Sequence, residues 1–332
     1  MRLVNRVCVT LLGCGALALA ACGGDDGGGG DNGGGGDTVD PNGEHYGYVL
    51  DSVLVPATPN EASQVALDID GDDRGDNALG GLLAALASSA DLDLQGEVDA
   101  QVAAGGVIIL ADVQATDLSS ATGVGLQVFL GGNANPAPCT DENDPSTCGQ
   151  HLQGGASFDV TMDYDALVVG QIVGGQLSGG PGEVTIELAL AEGSTVPVRL
   201  VGARVETAIT ADGLTNGRLG GAIHEDDIEN ELMPAIVDLI EGILAECDPE
   251  AVPCCPEGST GEQVLAFFDA DDSCTVDQAE LEENQLISST IGNPDLDLFD
   301  ETGAFNPNTD GTAESLSLGV GFSAVSAEFT AP

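Results

Sequence analysis

The chain predicts an α+β fold rich in β structure: an antiparallel sheet or sandwich, a few helices, and one helical insertion near the C-terminal end. Three observations carry that expectation. Long stretches between Gly106 and Ile223 alternate apolar and polar residues and are separated by Gly-rich, Asp-Gly and Asn-Gly turns, as half-buried antiparallel strands are. Apolar residues recur at helical spacing in only a few windows. The last alternating stretch, "SLSLGVGFSAVSAEF", lies after the helical windows, so that helical segment is bracketed by β structure.

The elements follow in order. Arg2 and Arg6 precede an apolar stretch, Val7 to Ala18, and small residues then lead to Cys22. That arrangement reads as a secretory signal over residues 1–21, too short to be a spanning helix. Leu19-Ala20-Ala21-Cys22 resembles the bacterial lipobox. The resemblance implies cleavage before Cys22, which would carry diacylglycerol and an N-acyl chain and so attach the protein to a membrane. Residues 22–44 are dominated by Gly and Asp, with Val39 the one large apolar residue; such a chain buries too little surface to fold and acts as a tether. Glycines rather than aspartate follow Cys22, which favours the outer membrane, on its cell-surface or periplasmic face.

A β-rich main domain is expected over 45–246. His45 to Pro56 has strand composition and ends at proline. Leu79, Leu82, Leu83 and Leu86 predict a helix, and Leu94, Val98 and Val102 a second over Leu92 to Ala103. Strands follow; Val184, Ile186, Leu188 and Leu190 alternate strictly, as do Ala203, Val205, Thr207 and Ile209. Helix returns from Glu225 to Cys247, where Pro234 suits a helix start or a break. A cysteine-rich helical segment spans 247–290, and residues 291–332 carry a strand expected to rejoin the main sheet.

Composition excludes some functions. There are 56 acidic residues against 6 basic ones, all Arg, for a net charge of −50. With no basic patch to neutralise phosphates, nucleic acid is not a partner; divalent cations suit such a surface. Of 9 cysteines, Cys8 and Cys14 fall in the signal and Cys22 in the lipobox. The others, Cys139, Cys148, Cys247, Cys254, Cys255 and Cys274, suit disulfides in an exported chain. Cys139 and Cys148 bracket a loop with no apolar residue and are paired here. Neighbouring Cys254 and Cys255 are poorly placed to bond each other, and the remaining pairing stays open. No C-x-x-C supports zinc.

The chemistry sits in Asp-rich loops. "DADDSCTVDQAE" offers oxygen donors at Asp269, Asp271, Ser273, the Thr275 carbonyl, Asp277 and Glu280, with apolar Val276 in the eighth place. This spacing resembles an EF-hand loop, in which a bidentate Glu closes the set around Ca2+. A capping box of Ser259 with Glu262, or Thr260 with Gln263, starts the helix before it, whose inner face holds Leu265 and Phe268. The pattern departs in two ways. Cys274 stands where the turn requires glycine, and polar Asn284 and Gln285 interrupt the exit helix. A disulfide from Cys274 to Cys247, Cys254 or Cys255 could hold the turn. No second clear copy is present, which suits a structural site rather than a sensor.

"DIDGDDRGDN" offers Asp68, Asp70, Asp72 and Asp76 and resembles the loops of thrombospondin type-3 and dockerin-like calcium repeats, without an acid in the twelfth place. The alternative is an acidic turn in which Asp76 or Asn77 caps the next helix. Asp295, Asp297, Asp300 and Asp310 lack regular spacing and read as turns. His45, His151 and His224 stand in unrelated contexts and are expected at the surface or at caps. No G-x-S-x-G or H-E-x-x-H occurs, so no catalysis is inferred.

The layout is similar to acidic surface lipoproteins of the myxobacterial type, in its tether, its DxDGD-type loop, its β-rich middle and its "SLSLGVGF" end. The expectation is a lipid-anchored, calcium- and disulfide-stabilised cell-surface protein with a structural or binding role, its partner an extracellular or periplasmic protein or glycan. The rival class is a calcium-dependent extracellular hydrolase.

Overall fold

Alternation resolves into eight strands: β1 (Glu44–Leu54), β2 (Ile109–Ala115), β3 (Ser120–Asn135), β4 (Ala156–Val173), β5 (Gln176–Ala191), β6 (Ser194–Thr210), β7 (Gly213–His224) and β8 (Ser315–Glu328). The computed structural model describes residues 38–89, 94–141, 144–191 and 194–331; the expected signal, Cys22 and the tether up to residue 37 lie outside the described residues. Each strand pairs antiparallel with the next, and β8 returns to β1, so the sheet closes as an up-and-down barrel. The sheet-or-sandwich expectation is corrected accordingly. A sandwich and a barrel both bury one face of every strand, so alternation does not separate them. The closing pair, with Tyr48 opposite Ser326, joins the two ends of the described chain.

The lumen is filled rather than open. Val113, Leu126 and Val168 stand opposite one another on β2, β3 and β4, and all are buried. Tyr48 shares their face, and its hydroxyl donates to the Thr210 carbonyl at 2.8 Å. β1 and β6 are not neighbours, so this bond crosses the lumen. Eight strands leave an interior about wide enough for side chains.

Beyond the first residue of β2, the β3–β4 hairpin is bent by register irregularities, and the start of β4 comes to lie parallel to the end of β8, Ala156 opposite Ala327. The bend lays Ala156 and Phe158 over the outward row Val49, Leu110 and Phe129, with Phe329 beside them. The end of the expected tether is already docked at the barrel: Asp40 N–H donates to the Gly123 carbonyl at 2.8 Å, Val39 lies over Gly125, and Glu44 pairs with Ala115 as the first residue of β1.

Three helices precede β2: α1 (Pro59–Val65), α2 (Ala78–Ser89) and α3 (Leu94–Ala104). A reciprocal capping box of Thr58 and Glu61 starts α1. The expected Leu-rich helix is α2, and the expected second helix is α3, its first residues lying outside the described ones. β1 ends at Leu54, opposite Gly321, leaving Gly319 without a β1 partner. The Asn77 side chain takes that place. Its Oδ1 accepts from Gly319 N–H at 2.7 Å, and its Nδ2 donates to the Gly319 carbonyl at 3.0 Å. The same Oδ1 caps α2 by accepting from Gly80 N–H at 3.0 Å. A Cβ at Gly319 would lie 2.9 Å from the Val65 carbonyl oxygen, so only glycine admits α1 this close.

The helical insertion joins β7 to β8: α4 (Glu225–Asp227), a π-helical turn (Ile228–Leu232), α5 (Met233–Ile243), α6 (Thr260–Phe268), α7 (Gln278–Glu283) and α8 (Gln285–Thr290). Pro234 falls in the first turn of α5, as its chemistry suits. Buried Ile228, Leu232, Met233, Ile240, Val264, Phe268, Leu281 and Ile287 belong to one apolar cluster with the lumen side chains. The insertion therefore shares the barrel's core. Among the described residues no helix is long and apolar enough to cross a membrane, which says nothing of strands.

Candidate cation-binding loops

Three disulfides are present: Cys139–Cys148, Cys247–Cys255 and Cys254–Cys274. The first is the pairing expected from sequence; the other two settle the open set. Such bonds fit an extracytoplasmic, oxidising compartment. Cys247 follows α5 directly, and its bond to Cys255 closes the turn before α6. Cys254, within that turn, reaches the following loop at Cys274.

That loop runs from the end of α6 to the start of α7. Ser259 caps α6 by accepting from Glu262 N–H at 3.2 Å, and Leu265 and Phe268 are buried, as expected. Asp269 folds the turn over itself, its Oδ1 accepting from Ser273 N–H at 2.9 Å and its Oδ2 from Cys274 N–H at 2.8 Å. Asp271 Oδ1 also accepts from Ser273 N–H, at 3.0 Å. Cys274 has φ +66°, the left-handed conformation that glycine takes without cost. Val276 is buried, anchoring the loop's far side. Glu280 turns back, one oxygen accepting from Ala270 N–H at 2.9 Å and the other from Asp277 N–H at 3.1 Å. Asp277 completes a capping box for α7. The exit is broken where the sequence suggests: Asn284 ends α7, caps α8 and donates to the Phe267 carbonyl at 3.0 Å, tying exit to entrance.

Asp269, Asp271 and Glu280 each bring a carboxylate oxygen within 4.8 Å of the others. Two oxygens bound to one calcium ion about 2.4 Å away can stand no further apart than about 4.8 Å, so these oxygens can share an ion. All donors are hard oxygens, the chemistry of Ca2+ rather than zinc. Each hydrogen-bonded carboxylate oxygen keeps a second lone pair for a cation. Of the other expected ligands, Ser273 Oγ lies 3.3 Å from the Thr275 carbonyl oxygen and 2.8 Å from Thr275 Oγ1, while Asp277 is occupied in capping.

The first loop gathers a second group, Asp68, Asp70 and Asp76, with the same mutual limit of 4.8 Å. Asp68 accepts from Gly71 and Asp72 N–H at one oxygen and from Asp73 N–H at the other. Asp76 Oδ2 accepts from Ile69 N–H at 2.8 Å. Burial pushes the Asp76 carboxyl up to about 6, and the negative charges of Asp70, Asp295 and Asp72 add to this against the Ile69 hydrogen bond. A cation would reverse that balance. Asp72 stands outside the group; its carboxylate accepts from Arg74 backbone N–H at 2.9 Å and faces the guanidinium at 3.4 Å. Of the two capping candidates, Asn77 rather than Asp76 caps α2. The Asn308 side chain donates to the Asp70 carbonyl at 3.1 Å, a clamp that nothing in the local sequence signals.

Asp300 and Asp310 cap turns, as expected. Asp295 accepts from Ser317, at N–H and hydroxyl, and the Ser317 hydroxyl oxygen in turn accepts from Ala78 N–H. His224 caps α4, and exposed His45 places Nδ1 2.7 Å from buried Asp112. His151 corrects the expectation: it is fully buried, because the bent hairpin folds the Gln150–Leu152 turn against the barrel.

No protein-family model matches the chain, and no curated protein or solved structure matches it significantly.

Proposed function

We propose that the chain is a lipid-anchored, calcium- and disulfide-stabilised cell-surface protein whose role is structural or binding. The observation that supports it is the pair of carboxylate groups in the two loops that the sequence marks as calcium-like. The first group directly precedes the Asn77 clamp on β8, and the second lies at the junction of α6 and α7 in the helical insertion. Ca2+ there holds the fold together, and its oxygen-only donor sets suit the plentiful calcium outside cells. Cys22 supplies the anchor, with the Gly/Asp tether between lipid and barrel.

Calorimetry tests the calcium reading. EGTA lowers the melting temperature of the wild type, and Glu280→Gln lowers it in calcium while shrinking the response to EGTA. An unchanged melting temperature under both treatments rules the cation out. Mass spectrometry of the mature N-terminus tests the anchor; an uncleaved, unlipidated chain rejects it.

A further inference from the structure

His151 is fully buried, and neither ring nitrogen has a hydrogen-bond partner. It lies in a 3₁₀ turn, Gln150–Leu152, inside the bent hairpin, with its ring edge-on to Phe158 at 6.1 Å between centroids. The turn is held by three backbone bonds: Gly149 N–H to the Ala103 carbonyl, Gln150 N–H to Pro138, and Gly155 N–H to Ser326. The Cys139–Cys148 disulfide closes the loop just before it. The hairpin's seat is the apolar outward row Val49, Leu110 and Phe129. An imidazolium in this place would be a buried charge without a counter-ion or an acceptor for either N–H, an arrangement of high cost.

We infer that residues 144–158 form an acid-released latch, shut over the outer face of β1–β3 while His151 is neutral and loosened when it takes a proton. Charged groups on the surrounding elements do not offset the cost. On β1, His45 is engaged with Asp112, and Asp51 accepts from the Ser323 hydroxyl. On α3, Asp99 accepts from Gln95, and Glu97 is exposed. On β4, Asp159 accepts from Asn133; in the loop itself, Asp144 accepts from Ser146; on β8, Glu328 is exposed. None of them bonds the His151 ring. Burial accordingly holds the imidazole below its ordinary value of 6.5. The open latch binds the proton at that ordinary value and the closed latch less readily. Closure is therefore fully favoured above about pH 6.5, and each pH unit below raises the opening equilibrium by up to about tenfold.

Hydrogen exchange on the full chain, with disulfides intact, tests this. After correction for intrinsic exchange rates, opening at Gly149, Gln150 and Gly155 should rise between pH 7.5 and 4.5, by up to about 100-fold, and more than at the lumen strands. His151→Leu and His151→Phe should remove that excess. An equal acid response in wild type and both variants overturns the latch and assigns the effect to carboxylates. Should the variants not fold, proton NMR of the wild-type ring decides. A His151 resonance that titrates near its ordinary value while the three amides stay protected overturns the inference; a ring that stays neutral in the closed state supports it.

Discussion

Cys274 serves two ends that usually fall to different residues. Its left-handed φ of +66° makes the sharp turn of the calcium-like loop, where a side chain costs about 1–2 kcal/mol relative to glycine. Its sulfur bonds Cys254 across a sequence separation of 20, restricting the unfolded chain by about 2–4 kcal/mol. The second effect exceeds the first, so the cysteine is a net gain in an oxidising medium. The two are separable in denaturant titrations. Cys254→Ser/Cys274→Ser should lose about 2–4 kcal/mol. Cys254→Ser/Cys274→Gly should recover about 0.5–1 kcal/mol of it, the relief of backbone strain less the extra unfolded-chain entropy of glycine. If the glycine variant is no more stable than the serine variant, no strain resides at this position. The site was legible here because carboxylate spacing is a local property. The partner of Cys274 was not, since three cysteines lay within reach and only the packing of the turn after α5 chooses among them.

Among elements, one side chain ties the start of α2 to β8, beside the bond from Ala78 N–H to the Ser317 hydroxyl. Asn77 bonds both backbone groups of Gly319 and the Gly80 N–H, and Nδ2 also meets the Ala62 carbonyl at 3.0 Å. It substitutes for a strand that has ended and caps a helix that begins. Asn77→Ala leaves those part-buried groups unpaired, and the lost cap alone is worth about 1 kcal/mol; with the strand bonds, about 2–4 kcal/mol in all is expected. Exchange of the Gly319 amide should rise more than that of lumen positions such as Val113, and equal changes at both would deny Asn77 a local role. Helices, strands and turns were legible one by one because each rests on a repeat of a few residues: the Leu ladder of α2, the alternation in β5 and β6, Pro234 at the start of α5. Closure of the barrel was not, because β1 meets β8 through a pairing across most of the chain. His151 shows the same limit at smaller scale. Nothing in Gln150-His151-Leu152-Gln153 marks it as core, and only the irregularities that bend the hairpin bury it.

For the whole molecule, charge is the dominant feature. A net charge of −50 opposes compaction by self-repulsion, and the arginines with ion pairs, Arg74, Arg199 and Arg218, are largely exposed, where such pairs contribute little. Cations are therefore expected to stabilise the fold, and screening and binding would differ in dose. Monovalent salt screens charges more than a Debye length apart, about 10 Å at 0.1 M, so in chelator the melting temperature should climb gradually with NaCl. Calcium at a concentration too low to alter ionic strength should add a further, saturable rise if the two loops share ions as their geometry permits. Magnesium should do less at the same concentration, since it demands tight octahedral geometry and sheds water reluctantly. The first loop runs directly into Asn77, which bonds Gly319 of β8, so the calcium-dependent part contributed there should fall on exchange at the β8 pairings with β1 and β7, whereas screening should act evenly over the surface. If NaCl at matched ionic strength reproduces the calcium curve, or if calcium protects all strands alike, the acidic loops serve only as part of a diffuse negative surface, and the cation has no particular seat in this fold.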